Sequence, residues 1–355
     1  MRVGYHTIKK VDWKLPMKQA AVVGERQGAI IDVPDPKAKD DWVVVKVQTA
    51  PMCTEYKTFL SGGRAEYLGH EAAGEVVEVA QPGRVQVGDR VVVMPQNACG
   101  KCALCLAGEY IHCQNSYDFA AVHGSRAGSA TMAQYLLKPD WLLVPVPDNV
   151  SLDHAALACC GLGPTFGAMN RVGVSVYDTV MITGLGPVGL GGVMNGVYRG
   201  ARVIGVDSNQ WRAQYALQLG ATAVVDPTES SALQQILDLT HGRGVDHSID
   251  CSGVVAAHRL CIDATRRKGT VTFVGESNAD TPLRISPDMI RKGLLLIGSW
   301  HYNMKETPRM MAMIAALGSK LDALISHRFP LAQVQQAWET QVAGECAKVL
   351  LKPWA

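Results

Sequence analysis

A chain of 355 residues is too long for one compact core of ordinary size, so two domains are expected. Hydrophobic residues make up 48% of it and glycine occupies 35 positions, which suits a globular α/β protein with many tight strand-to-helix turns. The formal net charge of +2 includes no basic block, and no apolar run reaches the length of a membrane span, so neither nucleic acid nor a bilayer is expected as a partner.

The N-terminal stretch MRVGYHTIKKVDWK has charge but no apolar centre and does not read as a secretory signal; an arm packed on the surface is expected ahead of a first strand at Met17. Ten cysteines in a long chain without such a signal point to a cytoplasmic setting with reduced thiols, where clustered cysteines bind metal. From Met17 to about residue 150 the runs AAVV, WVVVKVQTA, GEVVEVA and GDRVVVM are short, β-branched and bounded by Gly, Pro and charged turns, as in a β-rich domain. From about Ser175 strands alternate with helices: TVMITG then PVGLGGVMNGVYRGA, RVIGVD then NQWRAQYALQLGA, AVVD then SALQQILDLTHG, HSIDCSG then AAHRLCIDATRRKG, and finally TVTFVG and LLLIGSW. That rhythm means βαβ units and a parallel sheet. Two further helices, RMMAMIAALGSK and AQVQQAWETQVAG, follow Met304. The last strand, KVLLKP, has no place in the alternating sheet and is expected to return to the first domain. The expected division is residues 1–160 with 305–355 for one domain and 161–304 for the other.

The first βα turn reads Gly184-Leu185-Gly186-Pro187-Val188-Gly189, a GxGxxG that follows an apolar strand and opens a helix. In that context the first glycine permits the tight turn, the second lets the backbone approach a pyrophosphate, and the third lets helix and strand pack closely. The helix N-terminus then offers free N–H groups to the phosphates. Asp207 ends the second strand, where its carboxylate would bind ribose hydroxyls and repel a 2′-phosphate. This favours NAD over NADP, with Arg212 close enough in sequence to keep NADP in view; the plainer reading of Asp207 is a helix cap.

Residues 99–113 read CGKCALCLAGEYIHC. Cys99, Cys102, Cys105 and Cys113 would give four thiolates to a tetrahedral zinc with no open position, a structural site. An iron–sulfur centre is the rival, although the spacing differs from ferredoxin patterns. His112 reads as loop surface. Three other segments supply donors for a second metal: Cys53 and Glu55 in PMCTEYKTFLSG, His70 and Glu71 in GHEAAG, and a thiolate in LACCGLGPTFGA.

Taken together and in this order, these motifs resemble the zinc-containing medium-chain dehydrogenases of the alcohol/polyol type, from about Met17 to the C-terminus. The resemblance implies an α/β fold: a Rossmann doubly wound parallel sheet plus a GroES-like β-rich catalytic domain built from both chain ends. It implies two zinc ions, one catalytic and one structural, with NAD and a small-molecule substrate in the cleft between domains. A homodimer or homotetramer follows from the place of GLLLIGSW. Carried over, Cys53 and His70 are zinc ligands with Glu71 behind the metal. The third ligand is a Cys in alcohol dehydrogenases and a Glu in the sorbitol branch; the segment ending in the aromatic Phe166 places it at Cys160, with Cys159 the neighbouring alternative. Two thiolates leave the zinc a neutral first shell that still acts as a Lewis acid.

The chain departs from that pattern beside Cys53. The relatives carry Ser or Thr two residues on, where this chain has Glu55; an Asp three residues on, where it has Tyr56; and often a relay His five residues on, where it has Thr58. Glu55 is therefore read as a proton acceptor for the substrate, with a fourth zinc ligand and a surface ion pair to Lys57 or Arg64 as the other roles open to it. Gln96 and Asn97, if they line the pocket, favour a polyol, sugar or hydroxy-acid derivative over a simple alkanol. His301 and Tyr302 stand where they could face the nicotinamide or a subunit seam. An enzyme that keeps its NAD through epimerisation or elimination, and a binding protein without turnover, are the alternatives.

Overall fold

A computed structural model describes residues 16–355; the N-terminal arm lies outside the described residues. Strands β1 (Met17–Gly24) and β2 (Gln27–Val33) form an antiparallel hairpin at the start. Then come β3 (Trp42–Pro51), β4 (Ala72–Glu78), β5 (Arg90–Val93), β6 (Tyr135–Pro139) and β7 (Leu143–Pro145). β3 is central: β4 and β6 both pair with it antiparallel, and its valines are buried on both faces, which explains an almost unbroken apolar run.

The second half holds β8 (Thr179–Thr183), β9 (Arg202–Val206), β10 (Ala223–Val225), β11 (Val245–Asp250), β12 (Thr265–Phe273) and β13 (Leu295–Gly298). They form one parallel sheet in the order β10-β9-β8-β11-β12-β13. The strand order reverses beside β8, and this is where the crevice of a doubly wound sheet opens. The chain ends with β14 (Ile325–Pro330) and β15 (Lys348–Lys352). β15 pairs antiparallel with β3, so KVLLKP does return to the first sheet. One hydrophobic cluster runs from Met94 and Tyr110 through Leu157 and Leu162 to Val193 and Ile249, so the two sheets share a core.

Two elements differ from the sequence reading. The helix expected over AAHRLCIDATRRKG stops at Ala264, and TRRKG opens β12 instead. Thr265 pairs with Val245, and Arg266 Nε reaches Asp246 Oδ1 at 2.5 Å, so the strand has tertiary partners that helix propensity does not weigh. The strand β14 was not expected at all. Its ISHRFP is half polar, and Arg328 leaves the sheet to meet Asp153 at 2.8 Å.

Candidate active site

Cys53 follows β3, His70 precedes β4, and Cys160 lies in the turn before the helix Gly163–Val172. The fold brings them to one point: ligand atoms of Cys53, His70, Glu71 and Cys160 all lie within 4.8 Å of one another. His70 Nε2 is 3.2 Å from Cys160 Sγ. Cys159, by contrast, is fully buried and its thiol donates to the Val93 carbonyl at 3.3 Å, so the neighbouring alternative belongs to the core.

Glu55 stands differently from the position the sequence reading implies. It turns away from the substrate side and stands behind His70. Its Oε1 accepts from His70 Nδ1–H at 2.9 Å, and its Oε2 accepts from the Cys53 N–H at 2.9 Å. Both oxygens are thereby engaged, Glu55 does not line the cavity that Cys53, His70 and Cys160 open onto, and among the described residues it makes no ion pair with Lys57 or Arg64. With Nδ1–H donated to Glu55, Nε2 is the nitrogen that faces the Cys160 thiol and would bind a metal in place of its own proton. This is the carboxylate–histidine arrangement that orients a metal ligand and raises its basicity.

Glu71 lies beneath the cluster, fully buried. Its Oε2 accepts from the Cys160 N–H at 3.0 Å and its Oε1 meets Lys348 Nζ at 2.6 Å. Burial opposes a charge on Lys348, but Glu71, Cys53 and Cys160 hold its ammonium above the ordinary lysine range. Lys348 comes from β15, and nothing in the local sequence pointed to it. The hydrogen bond from Cys160, aided by Lys348 and His70, holds the Cys53 thiol well below its usual range despite burial. Burial likewise opposes charge on His70, yet Cys53, Glu55 and Glu71 push its imidazolium up to about 11. Two thiols, an imidazole and this much surrounding negative charge fit a soft divalent cation such as zinc.

The four-cysteine lobe is a closed counterpart. Ligand atoms of Cys99, Cys102, Cys105 and Cys113 also lie within 4.8 Å of one another. Backbone N–H groups of Cys99, Cys102 and Asn115 donate to Cys113 or Cys99 Sγ at 3.3–3.4 Å, the pattern of a lobe wrapped around thiolates. No pair is a disulfide; all ten cysteines are free. His112 is exposed, as expected for loop surface.

Cys53, His70 and Cys160 open onto a cavity of about 1230 Å³ whose other walls are Gly184, Gly186, Pro187, Val188 and Gly189 together with Asp207 and Arg212. Gly184 has φ 78°, a left-handed value that glycine tolerates best. A Cβ at Gly189 would collide with the Gly184 carbonyl oxygen, whereas Gly186 faces open space. Asp207 is fixed at the end of β9 by N–H groups of Leu185 at 2.6 Å and Asn209 at 2.8 Å, and Arg212 Nε donates to the Gly344 carbonyl at 3.2 Å. Thr54, Lys57 and Gln96 also line this cavity, while Asn97 lines a different one. His301 faces it with Nδ1 2.9 Å from the Tyr110 hydroxyl, and Tyr302 packs instead against Phe166, ring centres 5.5 Å apart.

The first half of the chain matches the alcohol dehydrogenase GroES-like domain over residues 39–148, and the second the zinc-binding dehydrogenase domain over residues 187–316. A zinc-type alcohol dehydrogenase-like protein, YphC of Escherichia coli, is 34% identical over 286 residues, 80% of each chain. The chain is a zinc-containing medium-chain dehydrogenase. Further members of the family bear this out: L-threonine 3-dehydrogenase of Paraburkholderia phytofirmans is 30% identical over 94% of this chain and 98% of its own. The alcohol dehydrogenase TADH of Thermus sp. ATN1 shares the fold, with a TM-score of 0.86 at 24% identity over 95% of this chain and 99% of its own. As a zinc-type dehydrogenase the protein is an oxidoreductase that uses zinc and a nicotinamide cofactor. Among the described residues no helix is long and apolar enough to cross a membrane.

Proposed function

We propose that this dehydrogenase transfers hydride between a polar secondary alcohol and NAD, with one catalytic and one structural zinc per chain. The observation that carries the reading is the single cavity that Cys53, His70 and Cys160 share with the glycine-rich turn and Asp207. Bound there, zinc would lower the pKa of a substrate alcohol or polarise a carbonyl as a Lewis acid. Glu55 orients His70, and Glu71 with Lys348 supports the Cys160 loop from below. Thr54 and Lys57 line the cavity beside Cys53 and offer the alcohol proton a way toward solvent. The threonine dehydrogenase relative names a polar secondary alcohol of the kind proposed. The test is NADH formation by zinc-loaded protein offered NAD and a panel of alkanols, polyols, sugars and hydroxy acids. Oxidation of a hydroxylated polar compound over ethanol-like ones is the expected result; no NADH from any member would overturn the reading.

The cofactor preference rests on charge. Asp207, Glu229 and Asp263 all line the cavity; of its two arginines, Arg259 is engaged by Asp263 at 2.6 Å and Asp288 at 2.8 Å, and Arg212 is turned to the Gly344 carbonyl at 3.2 Å. A 2′-phosphate would enter a wall of carboxylates, and such like-charge contacts cost several kcal/mol. We expect kcat/KM to favour NAD over NADP by roughly a hundred-fold, and Asp207→Ser to narrow the gap. Equal use of both cofactors would contradict this.

The reading includes a homo-oligomer in a reducing compartment. β13 is one of the two edges of the parallel sheet, its LLIG lacks the charge or proline that usually guards such an edge, and Leu295 is 60% exposed. Pairing with β13 of a second copy would cover it. Sedimentation should give a dimer or tetramer at micromolar concentration; a monomer would refute the pairing.

A further inference from the structure

Beyond the metal ligands lies a second, smaller cavity of about 460 Å³. Chain neighbours line the two cavities: Gly69 lines this one while His70 lines the larger one, and Asn97 lines this one while Gln96 lines the larger one. Arg126 stands in its wall with the guanidinium over the Tyr67 ring, 4.9 Å from the centre. That stacking uses the face of the guanidinium and leaves its N–H edge open. Among the described residues the Arg126 side chain has no hydrogen-bond or carboxylate partner. The Ser129 hydroxyl oxygen is buried in the same wall with no partner. Asn97 accepts from Lys138 Nζ through Oδ1 at 3.3 Å, so its amide N–H₂ is the end left for a ligand. Lys138 is buried, bonds also to the Gln96 carbonyl, and has no carboxylate partner among the described residues. One carboxylate, Asp118, lines the cavity, and its Oδ1 is occupied by the N–H groups of Ala120 at 3.0 Å and Ala121 at 3.3 Å.

A solvent-exposed guanidinium edge, a spare hydroxyl and an amide N–H₂ line one space, with the buried Lys138 Nζ bonded to Asn97 behind it. This is the donor set for a carboxylate or a phosphate. We propose that the cavity is a subsite for the anionic end of the substrate, whose carbinol carbon occupies the catalytic cavity next to it. The inference rests on the dehydrogenase reading and adds a substrate class: a hydroxy acid or a phosphorylated polyol.

Three matched compounds separate the sources: a polyol, its terminal phosphate ester and the corresponding aldonate. The wild-type enzyme should prefer at least one anionic compound over the neutral polyol through KM. Arg126→Met should lower that preference, taken as the ratio of kcat/KM values, by about thirty-fold, the scale of a lost charge-assisted pair. Arg126→Lys should restore part of it, and Ser129→Ala should lower it by a few-fold. No preference in the wild type, or an equal loss on charged and neutral compounds in Arg126→Met, would overturn the subsite. If none of the three is oxidised, calorimetric titration of the phosphate ester and the aldonate into NADH-loaded protein reads the subsite directly. Binding that Arg126→Met weakens at least ten-fold, as loss of a charge-assisted pair requires, upholds the subsite even as the dehydrogenase reading falls. Absence of binding to the wild type overturns it.

Discussion

Glu55→Gln is expected to strip the catalytic zinc while the four-cysteine site stays filled. Two N–H groups, His70 Nδ1–H and the Cys53 N–H, each donate to one Glu55 oxygen at 2.9 Å. Glutamine has one acceptor oxygen, so one of the two donors must then face the amide N–H₂. The imidazole also loses the negative charge that makes it a better ligand. Changes of this kind behind a ligating histidine typically weaken metal affinity by about ten- to a hundred-fold. Metal analysis after dialysis against a graded chelator series should show the wild type holding two zinc ions per chain where the variant holds one. Activity should return when excess zinc is added. A variant that keeps both ions at every chelator level but loses turnover would return Glu55 to the proton-acceptor role first read from the sequence.

Lys348→Met should be the most destabilising single substitution near the site. Lys348 and Glu71 are both fully buried and 2.6 Å apart. Removing the ammonium leaves a buried carboxylate whose remaining partners among the described residues are the Cys160 N–H at 3.0 Å and, at 3.9 Å, His70 Nε2. Breaking one side of such a pair costs about 3–5 kcal/mol. The loss has a pH signature. Burial already pushes the Glu71 carboxyl up to about 7 against the pull of Lys348, and losing the ammonium pushes it further, so the folded variant holds a proton over a wider pH range than the wild type, one that the unfolded state releases. The deficit should therefore be greatest above the raised folded value and shrink as pH falls toward the ordinary carboxylate range. Urea unfolding at several pH values measures this, with Lys348→Arg, which keeps the charge, as the control. A deficit that grows on acidification would contradict the buried-pair account.

What could be read from the sequence was whatever depends on neighbours along the chain. The glycine-rich turn was legible because Gly184, Gly186 and Gly189 act within one strand–turn–helix unit, and the cysteine lobe because its four thiols lie within 15 residues. Cys160 was separable from Cys159 only by resemblance, and the structure supplies the reason: adjacent side chains point to opposite sides, one to the ligand cluster and one to the Val93 carbonyl. The direction of Glu55 was out of reach because Glu55 stands at the start of the short helix Tyr56–Ser61 with its carboxylate on His70. A carboxylate two residues after a ligand cysteine, with no Asp after it, was the available signal. Lys348 was out of reach, since its partner lies 277 residues away. A lone lysine in the apolar run AKVLL was a hint that something buried needed a cation. The cavity lined by Arg126 and Asn97 depends on loops whose course no periodicity encodes.

The central claim is that hydride passes directly between a carbon held at the Cys53, His70 and Cys160 site and a nicotinamide held above the Gly184–Gly189 turn, within one cavity. The most direct test is to oxidise an alcohol deuterated at its carbinol carbon and analyse the NADH by mass and proton spectra. The account predicts one deuterium on the nicotinamide ring of each NADH formed. NADH free of deuterium, with the label lost to water, would contradict it.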